Sequence, residues 1–117
     1  MLVVSCSHGK HLGPLITKRL KLYRINVSHA FLATGEFPDG ELRVEFKASL
    51  KSKTLVLVQS FYENVNGCII EAVLAAKTAA ELGAKKVILV APYFPYLRQD
   101  KRFRKGEAIS QNIIGGI

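Results

Sequence analysis

Two five-residue runs, TLVLV at 54–58 and KVILV at 86–90, constrain this chain more than any other feature. Neither alternates apolar with polar residues, as a strand with one wet face would, so both read as strands covered on both faces. Between them, residues 64–83 carry apolar positions at helical spacing. Asn64 or Asn66 stands where a helix starts, and Gly83 where its C-cap needs left-handed backbone. The inward stripe of that helix is expected to be Ile69, Ile70, Val73, Leu74, Ala76 and Ala80. A strand, a helix and a second strand in this order predict a right-handed crossover and parallel pairing. The fold class is α/β, with a mainly parallel sheet flanked by helices.

The remaining segments fit that frame. LVVSC at 2–6 reads as a short buried strand, and the polar residues Ser7 to Lys10 as a strand-to-helix turn. A helix is expected over 11–23, with Leu12, Leu15, Ile16, Leu20 and Tyr23 at helical spacing and Pro14 in its first turn. Residues 30–46 change period, because Leu42, Val44 and Phe46 alternate with Glu41, Arg43 and Glu45. Phe37-Pro38-Asp39-Gly40 has the make-up of a tight turn, so 30–46 is expected to be a hairpin or arm with that turn at its tip. A last amphipathic stretch begins at Glu107, and the chain has no internal repeat or linker. It reads as one domain.

Charge narrows the function classes. The 117 residues carry a net charge of +8, which draws anions such as nucleotides, phosphosugars or nucleic acid. Arg98, Lys101, Arg102, Arg104 and Lys105 crowd into eight positions just past the run at 86–90. Ligands of open parallel sheets bind beyond the carboxyl ends of the strands, so this cluster emerges where a nucleotide would be met. The bland reading of the same cluster is a hydrated loop. Cys6 and Cys68 match no metal or disulfide spacing and fit a reducing compartment. The apolar start is too short for a signal segment or a membrane span. Cytoplasmic location and no membrane partner are expected.

Three motifs in order then carry a resemblance. FPDGE at 37–41, VQS at 58–60 and PYFPYLRQDKR at 92–102, continued by GEAIS at 106–110, resemble the ribose-phosphate diphosphokinases. The similarity runs over essentially the whole chain. It implies a phosphoribosyltransferase-like, Rossmann-like domain, incomplete at its C-terminus: the N-terminal domain (1–117) of a two-domain enzyme whose second domain is absent. The implied reaction moves pyrophosphate from Mg-ATP to ribose 5-phosphate, giving 5-phosphoribosyl 1-pyrophosphate and AMP. By motif match the ATP-binding residues are Phe37, Asp39, Gly40 and Glu41 at the adenine, usually from a neighbouring subunit, with Arg98 and Gln99 at the nucleotide. A planar ring, carboxylates and a guanidinium fork suit those roles. Lys101, Arg102, Arg104 and Lys105 are read as an anion-attracting rim.

The resemblance also implies what this stretch does not hold. The family's metal-binding His, catalytic loop and ribose-phosphate loop have no counterpart here, so no catalytic or metal residue is assigned and the isolated chain is expected to be inactive. Mg2+ would arrive with ATP, its protein ligands lying beyond residue 117. His8, His11 and His29 do not correspond to the family's histidine. His8 and His11 stand three apart but lack a third metal ligand. Tyr93, Phe94 and Tyr96 read as packing under the loop rather than as base-stacking groups. Implied partners are ATP, ribose 5-phosphate in the complete enzyme, and further copies of the chain. Two alternatives from other classes remain. One is a basic nucleic-acid-binding module, favoured by charge but lacking a recognition motif; the other is a non-catalytic assembly subunit associated with such a synthetase.

Overall fold

The computed structural model describes residues 1–93 and Lys105; the amphipathic stretch from Glu107 lies outside the described residues. Four parallel strands form the main sheet: β1 (Leu2–Ser5), β2 (Ser28–Phe31), β5 (Thr54–Val58) and β6 (Lys86–Val90), in the order β2-β1-β5-β6. The helices are α1 (Leu12–Leu22) and α2 (Val65–Glu81). Between β2 and β5, strands β3 (Ala33–Glu36) and β4 (Leu42–Glu45) form a separate antiparallel hairpin. The α/β class and the parallel β5–β6 pair therefore follow the sequence expectation, with Leu55 opposite Val87 and Leu57 opposite Leu89.

The two helices cover opposite faces. Val3, Val56 and Val58 point one way and receive Leu12, Ile16 and Leu20 of α1. Leu2, Val4, Leu55 and Leu57 point the other way and receive Ala75 and Ala79 of α2, with Leu32 and Leu50 beside them. Alternation along buried strands, rather than any polar face, sorts the side chains into these two layers. The described chain moves outward from β1 to β2 and in the opposite sense from β5 to β6, so the crevice between β1 and β5 is the topological switch point.

Four expectations need correction. The segment 30–46 is not all hairpin, because residues 28–31 pair in parallel with β1, Leu2 opposite Ser28 and Ser5 opposite Phe31. That strand is short and polar, and its conformation comes from the open edge of β1 rather than from its own pattern. In α1 the inward line runs through Gly13 and Thr17, leaving Leu15 and Tyr23 exposed. A Cβ at Gly13 would stand 1.7 Å from Ser5 Oγ, so the helix approaches the sheet where it has no side chain. In α2 Ile69 is buried as expected, but the contact stripe otherwise runs through Cys68, Ala72, Ala75 and Ala79, while Ile70 and Ala80 are exposed. Small residues let the helix sit close, and this rotates the face chosen by size alone. Finally, β6 is only partly covered, with Leu89 exposed at the edge of the described sheet.

Local signals at the element ends held more closely. Asn64 is the N-cap residue of α2, with φ 33 and no side-chain cap bond. At the other end, Gly83 N–H donates to Ala80 O and Ala84 N–H to Ala79 O, a Schellman closure with Gly83 at φ 88. The nearest atoms to an added Cβ there are 3.7 Å away, so the barrier to any other residue is conformational and not steric. Gly83→Ala is expected to destabilise the fold by about 1 kcal/mol in chemical denaturation, the cost of a left-handed residue bearing a side chain.

Beneath α1, the buried Ser5 hydroxyl and His29 Nε2 are 2.6 Å apart. Burial lowers the His29 pKa from its ordinary value, so the unfolded chain takes up a proton at a higher pH than the folded one. Stability should therefore be full above about pH 6.5 and fall as pH drops through the folded pKa. Denaturant midpoints measured from pH 7.5 to 5 should decline, and His29→Gln should remove that component of the slope.

Candidate nucleotide-binding edge

The carboxyl edge of the sheet is where the loops converge. After β1, Cys6 N–H donates to Val58 O, and Ser60 N–H donates to His8 O, which stitches the loop at 6–9 to the end of β5. Gly9 lies so close that an added Cβ would be 2.0 Å from Val58 O. Here only glycine lets the chain turn tightly enough to enter α1. The expected strand-to-helix turn at Ser7–Lys10 is present, closed by Gly9 N–H to Cys6 O.

A buried carboxylate organises this loop. Glu71, 5% exposed on α2, accepts from both Ser7 N–H and Ser7 Oγ–H. Gln59 holds the next residue, its Oε1 accepting from His8 N–H at 2.8 Å. The His8 ring has Nδ1 3.1 Å from Cys68 Sγ and 3.2 Å from Ser7 Oγ, and its edge meets Tyr62 at 5.3 Å between centroids. Sequence reasoning missed Glu71 and Gln59. The signal available for Glu71 was a lone acid inside the apolar run of residues 68–76. Such a residue stays buried only with donors to satisfy it.

The sulfur chemistry at this edge is quiet. Burial, and secondarily the Glu71 carboxylate and Cys68, pushes the Cys6 thiol up to about 12. Burial and then Glu71 raise Cys68 as well. Neither thiol is a nucleophile at neutral pH. Among the described residues no three His, Cys, Asp or Glu side chains gather to hold a metal ion. His11 stands exposed at the N-cap of α1.

The hairpin tip reaches the same edge. Phe37, Pro38, Asp39 and Gly40 make the expected tight turn: Gly40 N–H donates to Phe37 O at 2.8 Å, with Gly40 at φ 90. Phe37 N–H donates to Glu41 O, and Asp39 Oδ1 accepts from Glu41 N–H, which locks the acidic flank to the turn. Gly40 and Glu41 line a cleft together with Asn64 and Gly67 at the start of α2. The tip is thereby set beside a helix that begins just past the carboxyl end of β5. Phe37 is 48% exposed and Asp39 and Glu41 are exposed. Four of the six residues assigned to ATP thus sit together at this edge. The other two, Arg98 and Gln99, and the rim residues Lys101, Arg102 and Arg104, lie outside the described residues; Lys105 is exposed. Tyr93 is 54% exposed, not packed away as expected, and its carbonyl accepts from Phe61 N–H. Phe94 and Tyr96 lie outside the described residues. Among the described residues no helix is long and apolar enough to cross a membrane.

Comparison with known proteins bears on the family and the fold. Residues 1–115 match the family described as the N-terminal domain of ribose phosphate pyrophosphokinase. A ribose-phosphate pyrophosphokinase of Saccharolobus solfataricus is 34% identical over 114 residues, covering 97% of this chain and 38% of the relative. That of Mycoplasma genitalium is 30% identical over 115 residues, 98% of this chain and 33% of its own length. The chain thus spans about a third of the length of these relatives. The crystal structure of phosphoribosylpyrophosphate synthetase from Mycobacterium smegmatis superposes with a TM-score of 0.83 at 25% identity, over 98% of this chain and 37% of that one. The L. donovani hypoxanthine-guanine phosphoribosyl transferase, at 9% identity and a TM-score of 0.58, shares the fold. The chain belongs to the ribose-phosphate pyrophosphokinase family, and what it matches there is the N-terminal domain.

Proposed function

We propose that this chain is the nucleotide-holding part of a ribose-phosphate diphosphokinase, an enzyme that moves pyrophosphate from Mg-ATP to ribose 5-phosphate and releases AMP. The observation that carries this reading is the placing of the locked turn at 37–41 beside the start of α2, at the carboxyl edge of a parallel sheet. Phe37 supplies a ring face for adenine. Asp39 and Glu41 supply acceptors for its amine; Asp39 uses Oδ1 to fix the turn, which leaves Oδ2 for a ligand. Arg98, following β6 in the sequence, takes the phosphates through its guanidinium fork, with Gln99 as its positioning neighbour. Lys101, Arg102, Arg104 and Lys105 act as a field around them.

Magnesium enters as part of the substrate, Mg-ATP; the described residues hold no ligand set of their own for it. The exposed Phe37 and Asp39 suit a contact in which one copy's hairpin completes a neighbour's adenine site. A cytoplasmic setting fits two buried, unbridged cysteines.

Two measurements test the reading. The purified 117-residue chain should release no AMP from ATP and ribose 5-phosphate, because positioning and charge stabilisation of a transferring phosphoryl group need groups that these residues do not supply. AMP formation that follows the purified chain would overturn this. In calorimetric titration with Mg-ATP, Arg98→Lys should weaken binding by about tenfold or more although charge is kept, as expected for a lost charge-assisted bond. Arg104→Ala should matter little, and chiefly at low salt. The reverse ranking would show that the rim, not Arg98, is the phosphate site.

A further inference from the structure

Helix α1 carries on its outer side a groove lined by none of the residues assigned to ATP. Its volume is about 390 Å³, and every residue lining it belongs to the helix itself: Leu12, Leu15, Ile16, Lys18, Arg19 and Leu22. These six fall on two rows of three-residue spacing, Leu12–Leu15–Lys18 and Ile16–Arg19–Leu22. A channel between two such rows is the shape that receives a ridge of a second helix, the ridge having four-residue spacing and the axes crossing at about 20°. Leu15 and Leu22 are 52% and 71% exposed, and Tyr23 follows at 70%, so the apolar walls stand open to solvent. One exposed leucine is ordinary, but exposed leucines at both ends of a shared groove mark a contact surface.

Charge says what fits there. Residues 1–35 hold Lys10, Lys18, Arg19, Lys21 and Arg24 and no Asp or Glu. Among the described residues the ion pairs are those of Glu45 with Arg43 and Lys47, so Lys18 and Arg19 have no carboxylate partner there. Their stems add to the apolar walls, and their charges fall between Leu15 and Leu22 along the helix. A second copy of the described chain does not complement this surface. Its α1 would set cations against cations. Of the acids on its α2, Glu71 is buried, and Glu81 follows Lys77, not an apolar residue, at four-residue spacing. We propose that the α1 groove binds an acidic amphipathic helix of a partner protein, one whose ridge reads apolar, Asp or Glu, apolar at four-residue spacing. One apolar residue lies among Leu12, Leu15 and Ile16, the other against Leu22, and the carboxylate between them meets Lys18 and Arg19. This surface is independent of the nucleotide reading.

The probe is a synthetic helical peptide carrying Leu, Glu and Leu on one such ridge, and its control has Lys in place of that Glu. In two-dimensional amide NMR of the 117-residue chain, the Glu peptide should shift the Leu15, Lys18, Arg19 and Leu22 signals. The Lys peptide should bind at least about tenfold more weakly at low salt. Lys18→Glu combined with Arg19→Glu, both at exposed helical positions, should reverse that preference, which a loss of folding cannot do. Leu22→Ser should weaken the Glu peptide several-fold while the spectrum stays dispersed. Equal binding of the two peptides, or shifts centred away from α1, would overturn the inference, as would a charge-reversed chain that still prefers the Glu peptide. Vesicles of phosphatidylserine and a single-stranded oligothymidine stand for the other anionic occupants. Either one binding these residues more tightly than the Glu peptide does would also overturn it.

Discussion

Everything in this molecule hangs on the pairing of β1 with β5. Leu2 through Ser5 lie beside Leu55 through Val58, joining the chain's beginning to its middle, and both strands are buried on both faces. That single ladder creates the two layers of core, Val3 with Val56 and Val58 under α1, Leu2 with Leu55 and Leu57 under α2. It also creates the crevice at the carboxyl edge. Removing either strand would leave α1 and α2 with nothing in common. Because closing so long a loop is entropically expensive, the local unit β5-α2-β6 is the part whose contacts cost least to make first.

The elements that were legible in the sequence are those with a local cause. The unbroken apolar runs gave β5 and β6, the Pro-Asp-Gly turn gave the hairpin tip, and Gly83 marked the end of α2. What was not legible depends on partners far away in the chain. Ser28 to Phe31 becomes a strand because β1 has an open edge. The contact faces of both helices were right in part, with Leu12, Ile16, Leu20 and Ile69 inward, and wrong elsewhere for one reason. Leu15 and Ile70 are larger than Gly13 and Ala75, yet close approach favours the small residues, so size misleads where distance decides.

The candidate site divides in the same way. The turn of Phe37, Asp39, Gly40 and Glu41 was legible because it is written in five consecutive residues, while its assignment to ATP came from the family resemblance alone. The Glu71–Ser7 and Gln59–His8 contacts could not, since each joins loops that meet only once the sheet is formed. These contacts hold the β1–α1 loop without offering it to a ligand: Glu71 is occupied by Ser7, and Gln59 is wholly buried. On the proposed reading the binding chemistry therefore lies at the hairpin tip and in the sequence that follows β6, not in the loop at 6–9.

The hairpin's separate ladder has a consequence for how such a chain can change. Ala33 pairs with Glu45 and Glu36 with Leu42, and no bond of that ladder is shared with the parallel sheet. Adding or deleting a residue pair near the tip would alter reach, charge and ring position while the register of Leu2 against Leu55 stayed as it is. On the proposed reading, the recognition carried by the tip and the register of the sheet are thus written in different stretches of backbone, while Val44 at the base of the hairpin still packs on the core.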